Sequence, residues 1–146
     1  MSLTNQSEVQ MSLRIKKQRE LVDELRKVFP EQKIICRYDN FINYVDKHRT
    51  VTYYHLNKIR HASQAENDQE VFDVVSYFCG GSANFLDLVY CYYGDNDTDP
   101  EPISSESYYE ALTSGMPPIS INTGKEIEDF DVKNISFYCI LDWNKE

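Results

Sequence analysis

The sequence predicts a folded α+β protein, and three observations support this prediction. Apolar residues recur at helical spacing in the first half of the chain, and they alternate with polar residues in two segments of the second half. Hydrophobic residues make up 41% of the 146 residues, which is too much apolar material for a disordered chain. At this length, one hydrophobic core is expected.

Residues 1–30 predict a basic, amphipathic helix as an N-terminal extension. Residues 8–29 favour helix, and Pro30 ends it because the residue before a proline is displaced from the α region. The first half of this helix is basic with few apolar residues, so it is expected to project from the body. The second half is expected to pack through one apolar face formed by Leu21, Val22, Leu25, Val28 and Phe29.

Residues 31–62 predict a short strand followed by two helices. Ile34, Ile35 and Cys36 favour a strand at residues 33–38, and a helix at residues 41–48 follows. Thr50 and Val51 form a brief extended link. The second helix then begins at its cap residue, Thr52.

The clearest helix lies at residues 68–79. Its apolar stripe consists of Val71, Phe72, Val74, Val75 and Phe78, and either Asn67 or Asp68 caps its N-terminus. The glycine pair at residues 80–81 is expected to end it.

Two strands are predicted in the second half of the chain, at residues 84–93 and 134–143. Apolar residues alternate in both, so they are expected to pair as an antiparallel hairpin. About forty residues separate them. This connection contains an acidic loop and a short helix, for which Ser107 and Glu110 match a capping box.

Residues 39–143 resemble a winged helix-turn-helix domain in the order of these elements. The helices at residues 41–48, 52–61 and 68–79 correspond to its three helices, Thr50-Val51 to its first strand, and the two later strands to its wing. The resemblance implies a winged-helix-like three-helix core with an antiparallel β-hairpin at residues 31–146. The long acidic insertion at residues 94–133 interrupts the wing, and connections of that length usually carry function or a small structure of their own.

The third helix normally enters the major groove in this family, where basic and amide side chains contact DNA. Here residues 68–79 contain three acidic residues and no Lys or Arg, so phosphate groups would be repelled. The resemblance therefore favours a non-catalytic protein–protein interaction or regulatory module over a DNA reader.

Charge is divided unevenly along the chain. Residues 1–63 carry twelve basic and seven acidic residues, a net charge of +5, whereas residues 64–146 carry three and seventeen, a net charge of −14. We expect the acidic wing to contact a basic protein surface or a second copy of the chain. The candidate contact residues are Asp95, Asp97, Asp99, Glu101, Tyr108 and Tyr109. A homodimer through the first helix is an open alternative.

The alternative function is a DNA-binding transcriptional regulator that uses the basic N-terminal half. Its phosphate contacts would come from the first helix and from the helix that follows Thr52. The candidate residues are Arg14, Lys16, Lys17, Arg19, Lys58 and Arg60.

No catalytic, metal or cofactor site is predicted. Acids in the loop at residues 95–106 fall at calcium-ligand positions of an EF-hand, but Pro100 stands where that loop needs glycine. The four cysteines show no metal-ligand spacing. The sequence contains no run of eighteen apolar residues, and its first residues are too polar for a signal-peptide core, so we expect a cytoplasmic protein without a membrane span.

Overall fold

The computed structural model describes residues 5–94 and 100–145, which contain five α-helices and four β-strands. The α+β prediction is therefore confirmed. A short 3₁₀ helix, Val132–Asn134, precedes the last strand. In chain order, the elements are α1 (Asn5–Val28), α2 (Lys33–Lys47), β1 (Tyr53–His55), α3 (Leu56–Ser63), α4 (Asp68–Cys79), β2 (Asp87–Tyr92), β3 (Glu101–Pro102), α5 (Ser105–Ser114) and β4 (Ile135–Ile140).

The strands form an antiparallel sheet in the order β1-β4-β2-β3. The predicted pairing of the two long strands is confirmed, since β2 and β4 are neighbours. Both are shorter than predicted. The sheet also contains the two-residue strand β3, which pairs Cys91 with Pro102 and Tyr92 with Glu101.

The chain divides into two compact units. Unit 1 comprises Met1–Asp87 and Ile140–Glu146, and unit 2 comprises Leu88–Cys139. Unit 1 contains α1 to α4, with α2 packed against α1, α3 and α4. Unit 2 contains α5 and the whole connection between β2 and β4.

Aromatic side chains form the centre of unit 1. Phe41 of α2, Tyr54 of β1 and Phe78 of α4 are all completely buried. The ring of Phe41 lies 4.9 Å from that of Phe78 and 5.4 Å from that of Tyr54, measured between centroids. These three rings join three elements that are distant in the sequence.

The first half of α1 does not project, so that prediction is wrong. Its buried face runs through Met11, Ile15, Gln18 and Val22, at helical spacing. Gln18 is 3% exposed and its Nε2 donates a hydrogen bond to the carbonyl of Ala83 at 2.8 Å. A polar residue thus occupies a core position. The buried face therefore could not be predicted from the spacing of apolar residues alone.

The apolar face predicted for the second half of α1 is only partly correct. Val22 is buried and Leu21 and Leu25 are half-buried. Val28 and Phe29, in contrast, are 67% and 50% exposed. The helix ends at Val28, so these two residues lie where it leaves the core.

The predicted strand at residues 33–38 is also wrong, because these residues open α2. Of Ile34, Ile35 and Cys36, only Ile35 is buried. Periodicity cannot assign so short an apolar run to a strand or a helix. The positions that continue its helical face are Tyr38, Phe41, Ile42 and Val45.

The link between α2 and α3 also differs from its prediction. The strand is β1 at Tyr53–His55 rather than residues 50–51, and the residue that caps α3 is His55 rather than Thr52. The Nδ1 atom of His55 accepts a hydrogen bond from the backbone N–H of Lys58 at 3.2 Å. Burial lowers the pKa of His55, which favours the neutral ring that this bond requires.

Helix α4 has the predicted bounds and cap. The Oδ1 atom of Asn67 accepts a hydrogen bond from the backbone N–H of Glu70 at 2.9 Å. Gly80 follows the helix with extended backbone, and a Cβ added there would lie 2.9 Å from the carbonyl oxygen of Ser76. Close approach, rather than a left-handed turn, therefore requires this glycine.

Unit 2 has its own small core, formed by Tyr92, Ile103, Ala111 and Ile135. Helix α5 begins at Ser105, and the predicted cap at Ser107 is wrong. The Oγ atom of Ser104 accepts a hydrogen bond from the N–H of Ser107 at 3.0 Å.

We expect Phe78→Ala to lower the free energy of unfolding by about 3–5 kcal/mol, because it leaves a cavity among buried rings. Urea denaturation followed by far-UV circular dichroism measures this change. Phe72→Ala is the matched control, because Phe72 belongs to the same helix but is 40% exposed. Equal decreases in the free energy of unfolding of the two variants would contradict the assignment of Phe78 to the core.

Candidate protein-interaction surface

Helix α5 turns small residues toward the core of unit 2 and large apolar residues toward solvent. Ser107 and Ala111 are buried. Tyr109 and Leu112, three residues apart on the opposite side, are 56% and 46% exposed. Met116, just beyond the helix, is 50% exposed.

The segment after α5 adds two more exposed apolar side chains. Ile119 and Ile121 are 46% and 61% exposed. The backbone N–H of Ile119 donates to the Oγ atom of Ser107 at 3.2 Å, and that of Ile121 donates to the carbonyl of Pro102 at 2.9 Å. These isoleucines therefore extend from a backbone that is tied to α5 and to β3.

Acidic residues border this apolar strip. Glu106 and Glu110 lie four residues apart on α5 and are exposed. Helical spacing places them beside Tyr109, on the side away from Tyr108 and Leu112. We call this region the α5 surface, defined by Glu106, Tyr109, Glu110, Leu112, Met116, Ile119 and Ile121.

A cluster of three tyrosines supports one end of the α5 surface. The ring of Tyr108 stacks on that of Tyr90 at 4.2 Å between centroids, and the hydroxyl groups of Tyr90 and Tyr109 are 3.3 Å apart. Burial is the main cause that raises the pKa of Tyr108. The half-buried Tyr108 thus anchors the helix, while Tyr109 remains accessible.

The predicted contact residues in the wing have different outcomes. Asp95, Asp97 and Asp99 lie outside the described residues. Glu101 is half-buried in β3 and accepts a hydrogen bond from Ser120 Oγ at 2.9 Å. Tyr109 is the predicted residue that the structure brings to an exposed apolar surface.

The other apolar members of the α5 surface were missed by sequence reasoning. Leu112 and Met116 follow Tyr109 at spacings of three and then four residues, which is a helical signal. That signal is ambiguous, because the same spacing describes a buried face. Only the packing of Ser107 and Ala111 inward shows which side of α5 meets solvent.

The arginines predicted to contact DNA phosphates are engaged within unit 1. Arg19 donates hydrogen bonds to Asn43 and Asp46, and Arg60 forms an ion pair with Asp68. Arg14 donates to the carbonyl of Asp142 and lies 5.3 Å from the centroid of the Phe85 ring. Burial lowers the pKa of Arg14. These guanidinium groups would have to leave their partners to reach a phosphate.

The lysines among the predicted DNA contacts differ in exposure. Lys16 and Lys17 are exposed on α1, whereas Lys58 is half-buried on α3. The structure therefore brings two adjacent exposed lysines together, but not the six predicted basic residues as one patch of free charges.

A polar pocket of about 670 Å³ lies at the C-terminal ends of α2 and α3. Two histidines contact Tyr44 there: His48 stacks on it with centroids 4.2 Å apart, and His61 meets it edge-on at 5.9 Å. The pocket has no carboxylate or cysteine in its lining. A histidine paired with either group would be the signature of acid–base or nucleophilic catalysis. Its lining residues are Asn40, Asn43, Tyr44, Lys47, His48, His61, Ala62 and Gln64.

Two further searches cover residues 5–94 and 100–145. They contain no group of three or more His, Cys, Asp or Glu residues placed to hold a metal ion. Residues 95–99 of the loop that resembles an EF-hand fall outside these ranges, so metal binding by this loop stays untested. No helix within them combines the length and the apolar character needed to cross a bilayer.

Comparisons of the chain with models of protein families, with curated proteins and with solved structures found no match. The functional argument therefore depends on the surfaces described above.

We expect Asp46→Asn to lower stability by up to about 1 kcal/mol at pH 7. Hydrogen bonds from Arg49 and Arg19 lower the pKa of Asp46, so its stabilising effect is present above the unfolded pKa of about 3.9. The stabilising effect disappears as the pH falls through the lower pKa that Asp46 has in the folded state. Urea denaturation at several pH values between 7 and 3 measures the difference between wild type and variant.

Glu24→Gln is the control for this experiment, since Glu24 is 71% exposed in its pair with Lys27. It should change stability less than Asp46→Asn does. If the loss of stability caused by Asp46→Asn became larger toward low pH, it would contradict the assigned direction of the pKa shift of Asp46.

Proposed function

We propose that this protein is a non-catalytic protein–protein interaction or regulatory module of the cytoplasm, with a winged-helix-like core in unit 1 and its contact surface in unit 2. The observation that carries the proposal is the α5 surface. Five large apolar side chains are between 46% and 61% exposed there within thirteen residues of sequence. Exposed apolar groups collected in this way mark interaction sites, whereas single ones are ordinary.

The composition of the α5 surface also favours a protein partner. Tyrosine and methionine are enriched in protein interfaces, because they bury much area and tolerate varied partners. The rim is polar, through Glu106 and Glu110. The backbone beneath is fixed by the bonds of Ser104, Ser107 and Pro102, so little ordering entropy opposes binding.

The charge of unit 2 indicates a basic partner. Residues 88–139 carry ten acidic and two basic residues, a net charge of −8. A partner segment with apolar residues on one side and Lys or Arg beside them would bury its apolar groups against Leu112 and Met116. Its cations would lie near Glu106 and Glu110, and electrostatic complementarity of this kind gives specificity and fast association.

The winged-helix resemblance is supported by the order of α2, β1, α3, α4, β2 and β4. Each of the three helices contacts the other two. On this assignment α4 would be the groove-reading helix, and it presents Asp73 and the half-exposed Phe72 rather than basic residues. Glu70 of the same helix holds Arg37. These features favour the protein-interaction function over the DNA-binding alternative.

A reducing compartment suits the cysteines. None of the four, all of which lie in the described part of the chain, forms a disulfide, and Cys91 and Cys139 are buried. Burial raises the pKa of Cys91 to about 11, which suppresses the reactive thiolate. Burial of Cys91 and Cys139 therefore supports a packing role for these two residues, and the raised pKa of Cys91 argues against nucleophilic catalysis by that thiol.

We expect a fluorescently labelled, amphipathic helical peptide of leucine and lysine to bind the protein with a micromolar dissociation constant. Fluorescence anisotropy at about 50 mM and about 150 mM salt measures binding, which should weaken at the higher salt. A peptide with glutamate in place of each lysine, and another with serine in place of each leucine, should bind at least about tenfold more weakly, because each lacks one half of the recognition.

The double variant Leu112→Gln/Met116→Gln should weaken binding of the leucine–lysine peptide by about tenfold. Val28→Gln in α1 is the matched control and should leave it unchanged, because Val28 is 67% exposed in unit 1. Equal binding by the double variant and the wild type would exclude the α5 surface as the contact site.

A further inference from the structure

We infer that the partner of the α5 surface is the outward face of α1 in a second copy of this chain. The inference rests on the proposed function, because it names a partner for the same surface. It depends on a separate feature of unit 1, where α1 presents apolar and basic side chains that its own core does not use.

The outward face of α1 lies opposite Met11, Ile15 and Val22. On that face Val9 and Leu13, four residues apart, are 57% and 60% exposed. They line a surface depression of about 480 Å³ together with Glu8, Ser12, Lys16 and Arg49. At this point α1 therefore carries apolar residues both on its buried face and on its outward face.

Two lysines continue this face toward the C-terminus of α1. Lys16 and Lys17 follow Leu13 at spacings of three and four residues, and both are exposed. No ion pair involves either lysine among the described residues, whereas Arg19 and Arg49 are both paired with Asp46. These two lysines are available to an external carboxylate.

The two surfaces are complementary in chemistry and similar in length. On α5 the acids Glu106 and Glu110 lie toward the N-terminus and Leu112 toward the C-terminus. On α1 the order is reversed, with Leu13 before Lys16. At about 1.5 Å per residue, Glu106 to Leu112 spans about 9 Å and Leu13 to Lys17 about 6 Å, so the features repeat on a similar scale.

An antiparallel arrangement of the two helices sets opposite charges against each other and apolar residues against apolar residues. The charged contact is between Lys16 and Lys17 of α1 and Glu106 and Glu110 of α5. The apolar contact is between Val9 and Leu13 of α1 and the strip formed by Tyr109, Leu112 and Met116. The acids of α1 then fall outside the charged contact. Glu20 lies beyond the N-terminus of α5, where the helix dipole favours a negative charge, and Glu8 lies at the apolar end.

Charge on the larger scale favours the same pairing. The N-terminal 63 residues carry +5 and residues 88–139 carry −8, so the surface that contains α1 and the unit that contains α5 attract each other between copies. The assembly should therefore associate more weakly at high salt, in contrast to a contact formed by apolar groups alone.

Sedimentation velocity of the full chain, between about 5 and 200 μM protein, tests the inference. At about 50 mM salt we expect concentration-dependent association, with at least about tenfold weaker affinity at about 300 mM salt. A protein that stays monomeric at about 200 μM and 50 mM salt would overturn the inference. If that monomer still bound the leucine–lysine peptide, the proposed function would hold and only the identity of the partner would be wrong.

Charge reversal distinguishes this contact from other modes of association. Lys16→Glu/Lys17→Glu and Glu106→Lys/Glu110→Lys should each weaken association by at least about tenfold, since each sets like charges against each other. An equimolar mixture of the two double variants should restore it, because every contact between them is again between opposite charges. Circular dichroism checks that both variants are folded, as expected for changes at exposed positions.

Glu31→Lys, a charge reversal at an exposed position that belongs to neither α1 nor α5, is the control and should associate as the wild type does. Leu13→Gln should weaken association without changing net charge. Association that persists in both double variants, or a mixture that stays monomeric, would show that α1 and α5 do not pair.

Discussion

The buried contact of Phe41, Tyr54 and Phe78 is the interaction on which unit 1 depends. The Phe41 ring of α2 lies within 5.4 Å of the Tyr54 ring of β1 and the Phe78 ring of α4, measured between centroids. Phe85, beyond α4, extends the cluster at 5.9 Å from Phe78. Such close packing fixes the angles between the helices. It also decides which side of each helix remains for solvent, ion pairs or partners.

The ion pairs follow from this helix arrangement. Once α2 lies against α1 and α4, Arg19 reaches Asp46, and Arg37 reaches Glu66 and Glu70. Most arginines of residues 1–63 are thus held by carboxylates, and some of these carboxylates, such as Glu66 and Glu70, belong to the acidic half of the chain. Net charge alone therefore does not show which cations are available to a partner. In residues 1–63, the exposed lysines that form no ion pair among the described residues are Lys16, Lys17, Lys33 and Lys47.

Unit 2 differs from unit 1 in having a small core. Tyr92, Ile103, Ala111 and Ile135 account for its described buried cluster, with Tyr90 and Tyr108 packed around it. A core of this size cannot enclose both sides of α5. The apolar residues on its outer side are therefore exposed.

The sequence by itself determined the α+β class, the bounds of α4 and the division of charge, because these follow from local periodicity and composition. It also predicted the pairing of β2 with β4, because these are the two segments in which apolar residues clearly alternate. It did not determine α2, where Ile34-Ile35-Cys36 suits either a strand or a helix, or the inward face of α1, where Gln18 is buried by a bond to Ala83. It identified Tyr109 but not Leu112 or Met116. Which face of a helix is buried depends on contacts between residues far apart in the chain, and only the tertiary structure decides those.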